Sequence, residues 1–312
     1  MLLSAQGMSI SIARDLLHMA YFHKVALLAR KNVQNIVETI TRIKTHLLSL
    51  NVSVFLEQET AQMIGIKNEG VIPQHQLYQH CDLILVIGGD GSLIQAAHIA
   101  VDQHLPVVGV NRGYLGFLTD ILPDDLEKIT QVINGEFLQE QRLLLNAQII
   151  SEGKTLKSDL ALNEIALLPG DLAHMIEFDI YINGQLMSHQ RADGLIVATP
   201  TGSTAYALSG GGPILHPQLN AIVLVPMFPH NISSRPVVVQ SNNTVELVIT
   251  KHTPSPPFVS CDGLARVAIP IGSKIKIVQH PQHLQLIHPR DYEYFATLRE
   301  KLGWENTHKR VC

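Results

Sequence analysis

Three stretches of the chain carry residue types and spacings that can do chemistry. The first is Leu83-Ile84-Leu85-Val86-Ile87-Gly88-Gly89-Asp90-Gly91-Ser92. Its aliphatic run reads as a buried strand of a parallel sheet. Leu93, Ala96, Ala97 and Ala100 then recur at helical spacing, with Ser92 as the expected N-cap. Gly88 to Gly91 therefore form a tight turn between the carboxyl end of a strand and a helix N-terminus. Open α/β sheets bind ligands at that place, and backbone N–H groups there attract phosphate. The glycines Gly88, Gly89 and Gly91 let an anion approach the backbone with no Cβ in the way. Asp90 does not fit that pattern, because a carboxylate among such amides repels phosphate. It calls for a role of its own, such as holding a metal or accepting a proton from an attacking hydroxyl. The structural alternative is an acidic residue favoured by the helix dipole. No third glycine stands at Ile94, so Gly-x-Gly-x-x-Gly is not met.

The second stretch is Asn163-Glu164, inside the apolar run Leu160 to Leu168, which is expected to be one strand. Burying an amide beside a carboxylate is costly unless both are hydrogen-bonded. Two adjacent ribose hydroxyls would suit such a pair; a polar face turned to solvent is the alternative. The third runs from Gln190-Arg191-Ala192-Asp193-Gly194 through Thr199-Pro200-Thr201-Gly202-Ser203-Thr204-Ala205-Tyr206 to Gly211-Gly212-Pro213. Small hydroxylated residues and glycines at this density suit a loop and short helix around a polar ligand. Tyr206 is placed to stack on a base or a nicotinamide. A flexible Gly/Ser loop is the alternative reading.

The elements that must position these residues follow from periodicity. Lys24 to Ala29 is a first strand, and Val33, Ile36, Val37, Ile40, Ile43 and Leu47 mark one face of a helix. Val52 to Leu56 and Pro106 to Val110 are further strands, with a less regular connection over Thr60 to Tyr78. Pro123 is expected to start a helix that Asn134-Gly135 ends. Strands alternating with helices imply a parallel sheet with right-handed crossovers. After about Gln139 the period becomes two. Ile176, Phe178, Ile180 and Ile182 share one face, and Asn183-Gly184 reads as a hairpin turn. Further strands are expected at Leu143 to Ile150, Leu195 to Thr199, Ala221 to Val225, Val245 to Thr250 and Lys274 to Val278. Tyr292, Phe295, Leu298 and Leu302 return to helical spacing. The expected architecture is α/β plus all-β: an open parallel α/β domain over 23–138 and an antiparallel, sandwich-like domain over 139–288. A C-terminal helix over 289–312 is expected to return and pack on the first domain.

Composition narrows the class. Of 312 residues, 46% are hydrophobic and 16% charged, the balance of a folded globular chain. A net charge of −4 with no run of Lys or Arg argues against nucleic acid or an anionic membrane as partner. The 16 histidines are scattered without metal-ligand spacing. Cys81, Cys261 and Cys312 suggest neither a disulfide framework nor a zinc site, so a reducing cytoplasm is expected. No apolar run approaches the roughly 20 residues needed to cross a bilayer. Arg14, Asp15 and His18 interrupt any signal-peptide core. Residues 1–22 read as an extension, of which 1–19 are expected to add nothing to fold or catalysis.

With these motifs in order, the chain resembles the bacterial NAD kinases. The similarity runs from about residue 24 to 304. It is carried by Gly88-Gly89-Asp90-Gly91, Asn111-Arg112-Gly113, Gly116-Phe117-Leu118-Thr119-Asp120 and Asn163-Glu164. His174 to Phe178, Arg191 to Gly194, Thr199 to Tyr206, Gly211 to Pro213 and Pro226 to His230 continue it. The glycine turn alone also occurs in lipid kinases and phosphofructokinases; the ordered set is specific. The resemblance implies phosphoryl transfer from ATP, in some members from polyphosphate, to NAD, with a divalent cation such as Mg. It implies that Asp90 is the proton acceptor facing the 2′-hydroxyl of the adenosine ribose. Gly91, Asn163, Glu164, His174, Arg191, Asp193, Thr204, Ala205, Tyr206, Ala207, Leu208 and Ser209 would join Asp90 in contacting NAD, held between the domains. It also implies a homodimer or homotetramer. Two departures stand out: Ala29-Arg30-Lys31-Asn32 replaces a glycine- and proline-containing turn, and Leu264 stands where many relatives place a Gln. A lipid kinase would show a membrane-facing patch, which is not found. A non-catalytic NADP sensor would lack the carboxylate at position 90.

Overall fold

The computed structural model describes residues 20–30, 36–67, 70–112, 116–170 and 174–304. The expectation for residues 1–19 lies outside them, as do Val33, Gly113 and Cys312. In chain order come β1 (Lys24–Ala29), α1 (Ile36–Ser49), β2 (Ser53–Glu57), α2 (Gln58–Met63), β3 (Val71–Ile72) and α3 (Leu77–His80). β4 (Leu83–Ile87), α4 (Asp90–Gln103), β5 (Val107–Val110), α5 (Leu126–Ile133) and β6 (Phe137–Arg142) follow. Next are β7 (Leu145–Ser151), β8 (Lys154–Ala161), β9 (Glu164–Leu168), β10 (Ile176–Ile182), β11 (Gln185–Ala192) and β12 (Gly194–Ala198). After the one-turn helix α6 (Tyr206–Ser209) come β13 (Ala221–Met227), β14 (Val237–Gln240), β15 (Val245–Ile249) and β16 (Phe258–Cys261). The chain closes with β17 (Ala265–Ala268), β18 (Lys274–Gln279), β19 (Leu284–Pro289) and α7 (Tyr294–Leu302). Two compact units result: the described residues up to Glu140 with those from Gln285 onward, and Gln141–Leu284. Among the described residues no helix is long and apolar enough to cross a membrane.

The first unit is built on a seven-stranded sheet in the order β3-β2-β1-β4-β5-β19-β6. Strands β1 to β5 and β19 pair in parallel. All five residues of β4 are buried, which is why that run has no polar alternation. On α1, Ile36, Ile40, Ile43 and Leu47 face the sheet, each contributing about 1.5–3 kcal/mol by burial, whereas Val37 is exposed. The chain lays β2 and β3 on one side of β1 and then places β4 on the other. The carboxyl ends of β1 and β4 therefore flank the switch point of the sheet. The expected final helix forms in this unit as α7, with Leu298 buried. It follows β19, a strand that periodicity did not reveal because Leu286 and Ile287 form only a short register beside β5.

The second unit holds two six-stranded antiparallel sheets, β11-β10-β15-β18-β7-β8 and β14-β13-β12-β9-β16-β17. One core cluster joins Leu145, Phe178, Leu247 and Ile275 of the first sheet to Ile165, Val197 and Leu224 of the second. That is a sandwich packed on its inner faces. Asn183 and Gly184 both have positive φ, 50° and 78°, as a two-residue turn between β10 and β11 requires.

Three local expectations are corrected. Helix α4 begins at Asp90 with Gly89 as N-cap, so Ser92 is inside the first turn and does not cap it. Helix α5 begins at Leu126, where the Asp125 side chain caps the Lys128 amide, and Pro123 stays outside. The run Leu160 to Leu168 is two strands broken at Leu162-Asn163, since β8 and β9 belong to different sheets. The Thr60 to Tyr78 connection holds α2, β3, a 3-10 turn at Gln74–Gln76 and α3.

Candidate active site

In the first unit the site is built around Asp90, the first residue of α4. Gly88 is obligatory because Ser92 folds back on it: a Cβ there would fall 2.3 Å from Ser92 Oγ. The Asp90 carboxylate accepts from Phe117 N–H at 2.8 Å, Leu118 N–H at 3.1 Å and the Thr119 hydroxyl at 3.2 Å. Oδ1 takes two of these bonds and Oδ2 one, which leaves a lone pair on Oδ2 for another donor. The loop can come this close only because Gly116 lacks a side chain. A Cβ on it would lie 1.9 Å from Asp90 Oδ1. Gly109 on β5 plays the matching part beneath the loop, where a Cβ would meet Thr119 Cγ2 at 2.5 Å. Gly91 is exposed, and at the end of β1 Arg30 Nε donates to Gln95 Oε1 of α4 at 2.7 Å. Arg30, Glu57, Ser92 and Gln95 line a cleft at this carboxyl edge of the sheet.

In the second unit the chain break between β8 and β9 is held by Asp262. Its carboxylate accepts from the amides of Leu162 and Asn163, each at 2.7 Å, and of Glu164 at 3.1 Å. Asp262 takes φ 52°, which a short acidic side chain tolerates. The loop after β12 is clasped to the same break. The Thr199 hydroxyl donates to Leu162 O at 2.5 Å, and Thr199 N–H donates to Asn163 O at 2.9 Å. Gly202 passes so close that a Cβ would meet Asn163 O at 2.1 Å. Glu164 is buried, and its Oε2 has no hydrogen-bond partner. Burial, then the nearby Asp262 carboxylate, push its pKa up to about 7 against the opposing Tyr206 backbone N–H. Such a carboxyl calls for a donor that the chain does not supply.

The expected residues are therefore sorted. Asn163, Glu164 and the segment Thr199 to Tyr206 come together around the break. Thr204 and Ala205 are half-buried in that segment, and the Tyr206 ring is 43% exposed. Ala207 points inward among Ala166, Ile196 and Val223, while Leu208 is half-buried and Ser209 exposed. Arg191 lies opposite Glu177 on the β10–β11 hairpin, its Nε 3.8 Å from the carboxylate. His174 is exposed at the same end, and half-buried Asp193 donates its amide to Met227 O at 3.0 Å. Leu264 is exposed. Sequence reasoning missed Asp262 as the brace of Glu164, although Asp262-Gly263 is a turn signal. It also assigned no role to Phe117, Leu118 and Thr119.

Two family models match the chain. One describes the ATP-NAD kinase N-terminal domain, over residues 25–137, and the other the ATP-NAD kinase C-terminal domain, over 162–289. The chain is 49% identical over 290 residues to an NAD kinase of Coxiella burnetii, covering 93% of this chain and 97% of that protein. The chain belongs to the NAD kinase family. An NAD kinase of Hahella chejuensis is 46% identical over 93% of this chain and 98% of that protein. One of Legionella pneumophila is 45% identical over 92% and 98%. Among solved structures, an Archaeoglobus fulgidus NAD kinase in complex with ATP aligns with TM-score 0.68 and 27% identity, covering 90% of this chain and 98% of that one. Yeast NADH kinase complexed with NADH shares the fold, with TM-score 0.84 and 24% identity over 93% and 90%. NAD kinases phosphorylate NAD to NADP with ATP, and the chain is an enzyme of that family. Among the described residues no group of three or more His, Cys, Asp or Glu side chains is arranged to hold a metal ion. Asp90 already accepts three hydrogen bonds.

Proposed function

We propose that this NAD kinase transfers the γ-phosphoryl group of ATP to the 2′-hydroxyl of the adenosine ribose of NAD, giving NADP and ADP. The observation that carries the reading is the Asp90 carboxylate, fixed by three donors at the head of α4 with one lone pair of Oδ2 to spare. Phosphoryl transfer passes through a loose transition state, so a positioned acceptor matters more than a strong base. The new bond joins the 2′-oxygen to the γ-phosphorus, the bond to the β–γ bridging oxygen breaks, and the hydroxyl proton passes to Asp90. The amides of Gly89 and Gly91 hold the donor phosphates, with the helix dipole of α4 behind them, whereas the Gly88 amide, expected to join them, is spent on Val110 O at 2.9 Å. Magnesium enters as the ATP complex and neutralises phosphate charge. Glu164 and Asn163 bind ribose hydroxyls, a role supported by the unpartnered Oε2. His174, Arg191, Asp193 and the segment Thr204 to Ser209 complete the NAD contacts, with the exposed Tyr206 ring stacking on a base.

The enzyme works as a homodimer or homotetramer in the cytoplasm. Exposed Phe228 and Ile232 and the edge strand β14, with exposed Val237 and Val238, support self-association. Free, buried Cys81 and Cys261 fit a reducing compartment. Incubation of the purified chain with NAD, ATP and magnesium, with NADP read by an NADP-specific dehydrogenase, tests the reaction. No NADP at any donor concentration would overturn it, and polyphosphate in place of ATP tests the donor.

A further inference from the structure

Behind the Asp90 cradle lies a buried histidine that the reaction as written does not use. His288, at the end of β19, has no exposed surface. Its Nδ1 hydrogen-bonds the Asp120 carboxylate, and its Nε2 stands 3.3 Å from Glu140 Oε2 of β6. The ring stacks on Tyr292, with centroids 3.9 Å apart and planes 7° from parallel. An ionised carboxylate can only accept, so the imidazolium is the form that satisfies both neighbours. A buried ionic cluster of this kind adds little stability over an apolar replacement of the same shape. Its geometry is the more telling feature. Asp120 directly follows Thr119, whose hydroxyl reaches Asp90, and the Phe117 and Leu118 amides precede it by three and two residues. The loop closes on itself through Gly116 N–H to Thr119 O at 3.1 Å. It is tied to β5 through Asn111 N–H to Ile121 O at 2.8 Å. The Asp120 side chain adds an anchor on a second strand, β19.

We infer that His288 is a positioning residue: through Asp120 it fixes the 116–120 loop, and the loop aims the Asp90 carboxylate. The returning C-terminal strand thereby takes part in catalysis without touching substrate. The inference rests on the proposed role of Asp90. Asn at 288 can place its amide N–H where Nδ1 stands, and Gln can place its own where Nε2 stands. His288→Asn therefore keeps the tie to Asp120, and His288→Gln loses it while keeping the one to Glu140.

The expected result is a kcat near wild type for His288→Asn. For His288→Gln, and for Asp120→Ala, kcat falls about 10- to 100-fold, as misplacement of a reacting group does. KM for NAD and for ATP changes by no more than about twofold, since ground-state contacts are untouched. Hydrogen exchange in the peptide spanning 116–121 is faster in the two slow variants and unchanged in His288→Asn. Equal kcat for His288→Asn and His288→Gln, with equal exchange at 116–121, would overturn the inference. So would a kcat loss accompanied by exchange that rises across the whole first unit. If the His288 variants do not fold, the half-buried Asp120→Ala carries both readouts. Wild-type enzyme that makes no NADP would sink the activity reading alone, because the exchange of 116–121 still decides whether this tie holds the loop.

Discussion

Asp90 and Glu164 are both carboxylates beside apolar strands, yet the backbone treats them in opposite ways. Asp90 receives two amides and a hydroxyl, whereas Glu164 is buried with Oε2 unpartnered. Asp90→Asn keeps the shape but removes the proton acceptor, so turnover should fall about 10²–10⁴-fold. Affinity for ATP should hold or improve, since repulsion of phosphate is relieved. Steady-state rates and both binding constants at saturating magnesium check this; much weaker ATP binding would recast Asp90 as a metal ligand. Glu164→Ala should lower affinity for NAD by about 1.5–3 kcal/mol with little change for ATP. Equal weakening of both would place Glu164 elsewhere. The raised pKa of Glu164 also makes a stability prediction. Between the unfolded value of 4.5 and about 7, the unfolded chain has released this proton while the folded chain still holds it. Stability from this group therefore falls as pH rises across that window, by on the order of 3 kcal/mol in total. Thermal melts of Glu164→Gln should lack that fall and exceed wild type above pH 7. Parallel wild-type and variant curves would show that the carboxyl is not strained by burial.

At the scale of elements, glycines decide how closely backbones meet. Gly116 lets the loop after β5 close over Asp90, and no other residue fits without moving the carboxylate. Gly116→Ala should cut turnover by roughly 10²-fold while leaving the melting temperature within a few degrees of wild type. An unchanged kcat would mean that the cradle is not needed for catalysis. Periodicity marked β1, α1, β2, β4, α4 and β5 of this unit, because a buried strand or an amphipathic helix carries its burial in its own pattern. It misplaced the start of α4 by three residues, since Ser92 could cap only if Asp90 and Gly91 stayed outside the helix. It also ran β8 into β9, because Leu160 to Leu162 and Ile165 to Leu168 are apolar on both sides of Asn163-Glu164, while the chain crosses there from one sheet to another. The brace that makes this crossing possible, Asp262, lies 98 residues from Glu164, and the local turn signal of Asp262-Gly263 does not point to that partner.

Across the whole molecule, the chain leaves the first sheet after β6 and returns to it as β19. A chain ending at Leu284 would lose Leu286 and Ile287, two fully buried side chains worth about 1.5–3 kcal/mol each, and their pairing with β5. That is a large part of the 5–15 kcal/mol by which folded domains are stable. Hydrogen exchange should show protection lost across β1 to β5 and kept across β7 to β18. Retained protection in the first sheet would show that β19 is dispensable.

The sequence by itself determined the class of fold, the glycine turn that leads to Asp90, the polar pair Asn163-Glu164 and the family. All of these rest on neighbouring residues or on an ordered set of short motifs. Only the tertiary structure decided what surrounds the two carboxylates. The Phe117 to Thr119 donors, the Asp262 brace and the His288–Asp120 tie each join segments tens to more than a hundred residues apart. Hydrogen bonds between such segments depend on strand order and register, and no local pattern of side chains encodes those.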